Sequence, residues 1–337
     1  MEPEIILIGV MTAGVTLYAL MGGADFGAGV WEFNTALRSG EKERALIYRA
    51  IGPVWEANHV WLIFVLVALF SGFPPAFAAL SRALWVPLLL ALLGIVFRGV
   101  GFAFRSYAAD SVRSKTLWGA VFALASTAAP FFLGASVGAI ASGRLEVSSD
   151  GGYSGDHLTG WINPVSIFCA FFGVGICAYL AAAYLTREAR NEGDAALTEI
   201  WRRRAIVTGL WMGLLSAAGL AIIATSAPAL WEGFKDRAWP AVLTSLGAGS
   251  FSIIALWRRR FTGAALGAAV TVGAVVVGWG LAQYPALIPP EITLHGARAP
   301  REVLWTFLGV IAAGSLLVVP SLVLLLVLFK GKRPEDA

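Results

Sequence analysis

IILIGVMTAGVTLYALMGGADFGAGV, residues 5–30, is a run of twenty-six positions with a single charged side chain, Asp25. About twenty predominantly apolar residues carry a helix across the hydrocarbon of a bilayer. The apolarity is continuous, not alternating, which argues against the strand of a membrane barrel. After this first run, Ile5–Val30, come eight more: Pro53–Phe70, Ala76–Phe104, Leu117–Ile140, Ile162–Leu185, Ala205–Leu230, Trp239–Trp257, Phe261–Leu281 and Val303–Phe329. Nine transmembrane helices are expected.

Composition agrees. Of 337 residues, 58% are hydrophobic and 14% charged, against about 45–50% and about 25% in a soluble domain. No polar low-complexity tract points to disorder. The expected fold is an all-α integral membrane protein, one polytopic domain over residues 1–337. Residues 142–160 and 283–301 are the longest loops on their side, and neither is long enough for a separate folded domain. The first run lacks a basic n-region and an A-x-A site, so it is expected to stay as a helix.

The net charge of +4 is not a nucleic-acid signal, because the basic residues sit in short clusters between apolar runs. Alternate connections hold eighteen and six Lys and Arg, with Arg98 left inside a run. The richer set includes Arg38 to Arg49, Arg202 to Arg204, Arg258 to Arg260 and the C-terminal tail. By the positive-inside rule the N-terminus is outside and the C-terminus cytoplasmic, which an odd number of spans also requires. The arginine triplets read as topology determinants and headgroup contacts. Cys169 and Cys177, eight apart in one run, fit neither a disulfide framework nor a CxxC metal site and read as buried thiols. His157 and His295 read as solvated outer-loop side chains.

Ionisable groups inside spans are costly, and are functional candidates by default. Here they are Asp25, Glu56, His59 and Arg98, with Glu32 and Arg82 at span margins. Counting along each run places all four in the inner half of the membrane, on three separate helices. Asp25 lies among Gly22, Gly23, Gly27 and Gly29, which permit close helix approach or a local break. It is read either as a structural partner of Arg98 or as a group that moves protons. Glu56, desolvated near the cytoplasmic face, is read either as a group that takes up and passes on a proton or as a buried structural acid. Glu56 and His59 also form one E-x-x-H motif, but a di-iron bundle needs two such motifs and further glutamates. No second axial ligand near His59 supports a haem, and neither a P-loop nor a hydrolytic triad is present.

Three blocks carry a resemblance: Tyr18–Gly29 (YALMGGADFGAG), Ile51–Leu62 (IGPVWEANHVWL) and Phe97–Arg105 (FRGVGFAFR), with Phe70, Phe73 and Pro74 between the last two. In order and spacing they resemble subunit II of cytochrome bd-type quinol oxidases, and Trp55, Asn58, Trp61 and Gly27 are matching motif positions. Glu56 stands where the family usually has Asp, and His59 replaces a commoner Glu, so a divergent member is expected. The resemblance implies two four-helix bundles plus one peripheral helix, paired with a haem-bearing subunit I in the prokaryotic cytoplasmic (inner) membrane. Haem b, haem d and the quinol site would belong to that partner. This chain would hold no haem or metal, and would support stability and proton or oxygen access. Some members hold a structural quinone, and small single-helix subunits, quinol and lipid are further expected partners. The rival reading is an ion-coupled secondary transporter, which predicts an inverted repeat with a glycine-broken span in the second half.

Overall fold

The computed structural model describes residues 2–36, 40–51, 57–107 and 112–331. In chain order it contains α1 (Pro3–Ala36), α2 (Glu41–Ile51), a 3-10 turn (Ala57–His59), α3 (Val60–Gly72), α4 (Pro74–Ala83), α5 (Trp85–Tyr107) and α6 (Val112–Ala141). Next are α7 (Pro164–Asn191), α8 (Ala195–Ser226), α9 (Pro228–Gly233), a π-helical turn (Phe234–Ala238), α10 (Trp239–Trp257) and α11 (Phe261–Gln283). A hairpin of β1 (Ala286–Ile288) and β2 (Ile292–Thr293) leads to α12 (Arg301–Gly331). Among the described residues, eight helices are long and apolar enough to cross a membrane, or nine if the bent pair α3 and α4 forms one broken span.

The expected spans coincide with helices except at two places. The third span does not begin at Ala76: Pro74–Ala83 is a separate helix bent 120° from α3, and the spanning helix starts at Trp85. The cause is local. Phe73 precedes a proline and takes φ −138°, ψ 63°, because proline's ring disfavours helical backbone in the residue before it. Pro74 then opens a new helix, where a missing N–H costs nothing. Ala76, Ala79 and Ala83 give α4 one buried face, and Arg82 donates to the Gly151 carbonyl at 3.2 Å. Likewise the sixth span ends at Ser226, not Leu230, because Ala227 bends before Pro228. The start of the expected second span, residues 53–56, lies outside the described residues.

In chain order the spans fall into a first half, α1, α3, α5 and α6, and a second, α7, α8, α10 and α11, and both α1 and α6 press on α7. α12 touches α1 and α3, yet none of its membrane-length window is buried against the chain. It is the peripheral helix. The central seam is made by glycine. A Cβ on Gly27 of α1 would overlap the Cys177 carbonyl of α7, and one on Gly134 of α6 would overlap the Cys169 carbonyl. Both cysteines are free thiols; Cys177 is buried and Cys169 half-buried.

α7 starts from a reciprocal cap. Asn163 Oδ1 accepts from the Ser166 amide at 3.0 Å, and the Asn163 amide donates to Ser166 Oγ at 2.8 Å. Asn163 Nδ2 also donates to Ser142 Oγ at 3.2 Å. In the loop before it, the amides of Thr159 and Leu158 both donate to Asp156 Oδ1 and hold that carboxyl below the usual carboxylate range. Asn163→Ala is expected to cost about 1 kcal/mol or somewhat more, read as a lowered unfolding temperature of the detergent-solubilised chain. An unchanged temperature would refute the cap's contribution.

Candidate functional site

Arg98 lies on α5 between Gly94 and Gly101, four residues before it and three after, hence on one helix face. Added Cβ atoms at those glycines would meet the α6 backbone at Ala129 and Phe122, at 2.8 and 2.7 Å. The glycine face is pressed against α6, so Arg98 is carried into the interior, where it is 1% exposed. Its Nη2 lies 3.8 Å from Asp25 Oδ2 of α1, and its Nη1 3.4 Å from His59 Nε2 of the 3-10 turn. Asn58, also buried, donates through Nδ2 to Asp25 Oδ2 and to the Met21 carbonyl at 3.5 Å. The Arg98 guanidinium carbon stands 5.0 Å above the Phe26 ring and 5.9 Å above Phe122. His59 packs against Tyr18 and Phe26, with ring centroids 6.1 and 5.9 Å away.

Asp25, His59 and Arg98, expected at one depth on three separate elements, are thus brought together, and Asn58 joins them. Trp55 and Glu56 lie outside the described residues. Gly27 serves the α1–α7 seam. Trp61 Nε1 is buried without a hydrogen-bond partner among the described residues, and the same holds for Tyr18 Oη, Asn58 Oδ1, His59 Nδ1 and Arg98 Nε. Buried polar atoms in proteins nearly always have a partner, frequently water. An opposite charge about 4 Å away is worth about 4 kcal/mol at an effective dielectric near 20. Asp25 is therefore what makes a buried guanidinium tolerable here.

A second acid–arginine rung was visible in the sequence only as a margin residue. Glu32, 1% exposed, holds Arg105 Nη1 at 3.0 Å and Arg44 Nε at 3.5 Å, and Arg105 also donates to the Lys115 carbonyl. The signal was the spacing. Glu32 follows Asp25 by seven residues and Arg105 follows Arg98 by seven, so both pairs repeat two turns along their helices. The arginine triplet at 202–204 differs from the expected headgroup contact. Arg204 is half-buried, pairs with Glu43 at 2.5 Å and lies between the rings of Trp31 and Trp201, at 5.2 and 4.6 Å. Arg202 pairs with Glu199 at 2.7 Å. Arg204 on Glu43 and Arg49 on Glu192 fasten α2 across the end of the bundle, whereas the Arg202 pair lies within α8. His295, expected to be solvated, is half-exposed but lies 3.1 Å from the buried Glu4.

The cluster does not suit a haem. A guanidinium cation stands against His59 Nε2, where an axial iron would need an open lone pair, and two aromatic rings flank the imidazole. The geometry instead suits holding a buried charge pair among polar neighbours.

A family model described as cytochrome bd terminal oxidase subunit II matches residues 3–329. The chain belongs to this family. It is similar to the Bacillus subtilis cytochrome bd ubiquinol oxidase subunit 2, 29% identical over 222 residues, which cover 66% of this chain and 61% of the relative. It is also similar to the Escherichia coli K12 cytochrome bd-I ubiquinol oxidase subunit 2, 28% identical over 195 residues, 57% of this chain and 49% of the relative. The aligned stretch thus spans about half to three fifths of those relatives. Its fold matches a chain of the bd oxidase from Geobacillus thermodenitrificans with a TM-score of 0.76, covering 99% of this chain and 100% of that one at 22% identity. Membership in the subunit II family accords with eight to nine candidate spans, and the chain is a multi-pass membrane protein.

Proposed function

We propose that this chain is the non-haem subunit of a bd-type terminal oxidase, in which quinol is oxidised and oxygen reduced to water in a haem-bearing subunit I. The observation that carries this reading is the subunit II family match along residues 3–329. In this reading haem b and haem d lie in the partner, and small single-helix subunits or a structural quinone complete the assembly. The chain's share is to support the partner and to conduct protons. Glu56 takes protons from the cytoplasm, and His59, Asp25 and Arg98 supply further polar groups for the route. The buried contact of Arg98 with Asp25 and His59 supports this role, as does the charge alternation that puts the N-terminus outside. The transporter reading is weaker, since α10 and α11 contain no charged residue.

The test is Glu56→Gln. Oxygen uptake in membranes is expected to fall about tenfold or more at unchanged haem content, a barrier increase of about 1.4 kcal/mol or more. Unchanged turnover at full haem content would eliminate the proton role. Purification of the tagged chain tests the assembly itself: a b- and d-type visible spectrum with a second large membrane chain supports it, and a colourless lone chain refutes it.

A further inference from the structure

Twenty-one residues along α1 from Asp25, about 31 Å of helix at 1.5 Å per residue, a separate cluster joins the start of α1 to the segment before α12. Glu4 is fully buried in the first turn of α1. Its Oε1 accepts from Arg298 Nη1 and lies 3.1 Å from His295 Nδ1. Its Oε2 is buried and has no hydrogen-bond partner among the described residues. The exposed Glu2 brings Oε2 to 3.7 Å from the same imidazole nitrogen. Ligand atoms of Glu2, Glu4 and His295 all lie within 4.8 Å of one another, the one such grouping among the described residues.

We propose that Glu2, Glu4 and His295 form a binding site for a first-row divalent transition metal, for which Zn2+ is the probe. The spacing fits. Tetrahedral ligands about 2.1 Å from Zn2+ lie about 3.4 Å apart, and the two measured approaches to Nδ1 are 3.1 and 3.7 Å. The donor set of one imidazole and two carboxylates favours such metals over Mg2+ or Ca2+, which prefer oxygen alone. Arg298 plays the outer part: it donates to Glu4 Oε1 and so orients the carboxylate beside the imidazole, as groups behind a metal ligand commonly do, while Oε2 of the same carboxylate has no other partner among the described residues. The histidine is held in place. Its neighbours Leu294 and Ala297 are buried, the Leu294 amide donates to the Pro285 carbonyl, and the Ala297 amide donates to the Thr293 carbonyl. A bound metal would tie the start of α1 to the segment that leads into α12.

The full chain, extracted in detergent with whatever it binds, is stripped with a chelator, equilibrated with excess Zn2+, desalted and analysed for zinc. The native chain is expected to hold one zinc more than Glu2→Gln or His295→Ala. Each variant is expected to bind that zinc at least about a hundredfold more weakly, since losing even an outer partner of a ligand costs about ten- to a hundredfold. His157→Ala, at an outer-loop histidine outside the cluster, is expected to keep it. Zn2+ should also raise the unfolding temperature of the native chain but not of Glu2→Gln, whose exposed position leaves folding intact. Retention of native zinc content by either cluster variant, or no zinc on the native chain, would overturn the proposal.

Discussion

Arg98→Met is expected to prevent the chain from accumulating in folded form. The substitution leaves Asp25 buried with Asn58 but without its guanidinium. Removing one partner of a buried ion pair costs about 3–5 kcal/mol, a large part of the 5–15 kcal/mol that about spans typical native stability. The readout is the fraction of chain that elutes as a single folded species in detergent, with its unfolding temperature. Asp25→Asn combined with Arg98→Met removes both charges and should recover much of the loss. Arg105→Met supplies the contrast: Glu32 keeps Arg44, so the penalty should be clearly smaller. If Arg98→Met alone were as stable as the native chain, the pairing would have no structural weight.

Gly27→Ala is the second large effect. Its Cβ would overlap the Cys177 carbonyl and come within 2.8 Å of Ala181 Cβ. Overpacking typically costs 1–3 kcal/mol; because the obstacle here is a neighbouring backbone that cannot change rotamer, a loss of about 3 kcal/mol or more is expected. Gly213→Ala in α8, with nothing within 4 Å of the added atom, should be neutral or stabilising by up to about 1 kcal/mol. Thermal unfolding of both variants in one detergent decides the matter. Equal behaviour would mean that α1 and α7 are not in backbone contact.

The spans were legible because lipid leaves a spanning backbone few alternatives to a helix, so long apolar runs map onto helices almost directly. The fold at Phe73–Pro74 was harder to see, since apolar residues continue through it into the run from Ala76. Asp25, His59 and Arg98 were legible as a group because charges are rare in apolar runs and depth can be counted from a span's end. Their neighbours were not. Glu4 and His295 are 291 residues apart, and no local pattern joins them. Arg204 lies between tryptophans at 31 and 201, so its burial depends on tertiary packing that a cluster of basic residues does not disclose. Glu32 was half visible: its seven-residue offset from Asp25 becomes meaningful once α5 repeats the same offset with Arg98 and Arg105.

The glycine contacts that α1 and α6 make with α7 limit how the molecule can move. Where Gly27 and Gly134 meet the backbone of α7, no side chain lies between the helices to ease sliding. Neither half can therefore ride up or down past the other without losing the interlock at Gly27 and Gly134 together. Any breathing that admits a small molecule or a proton between the halves must pivot about α7 like a book on its spine.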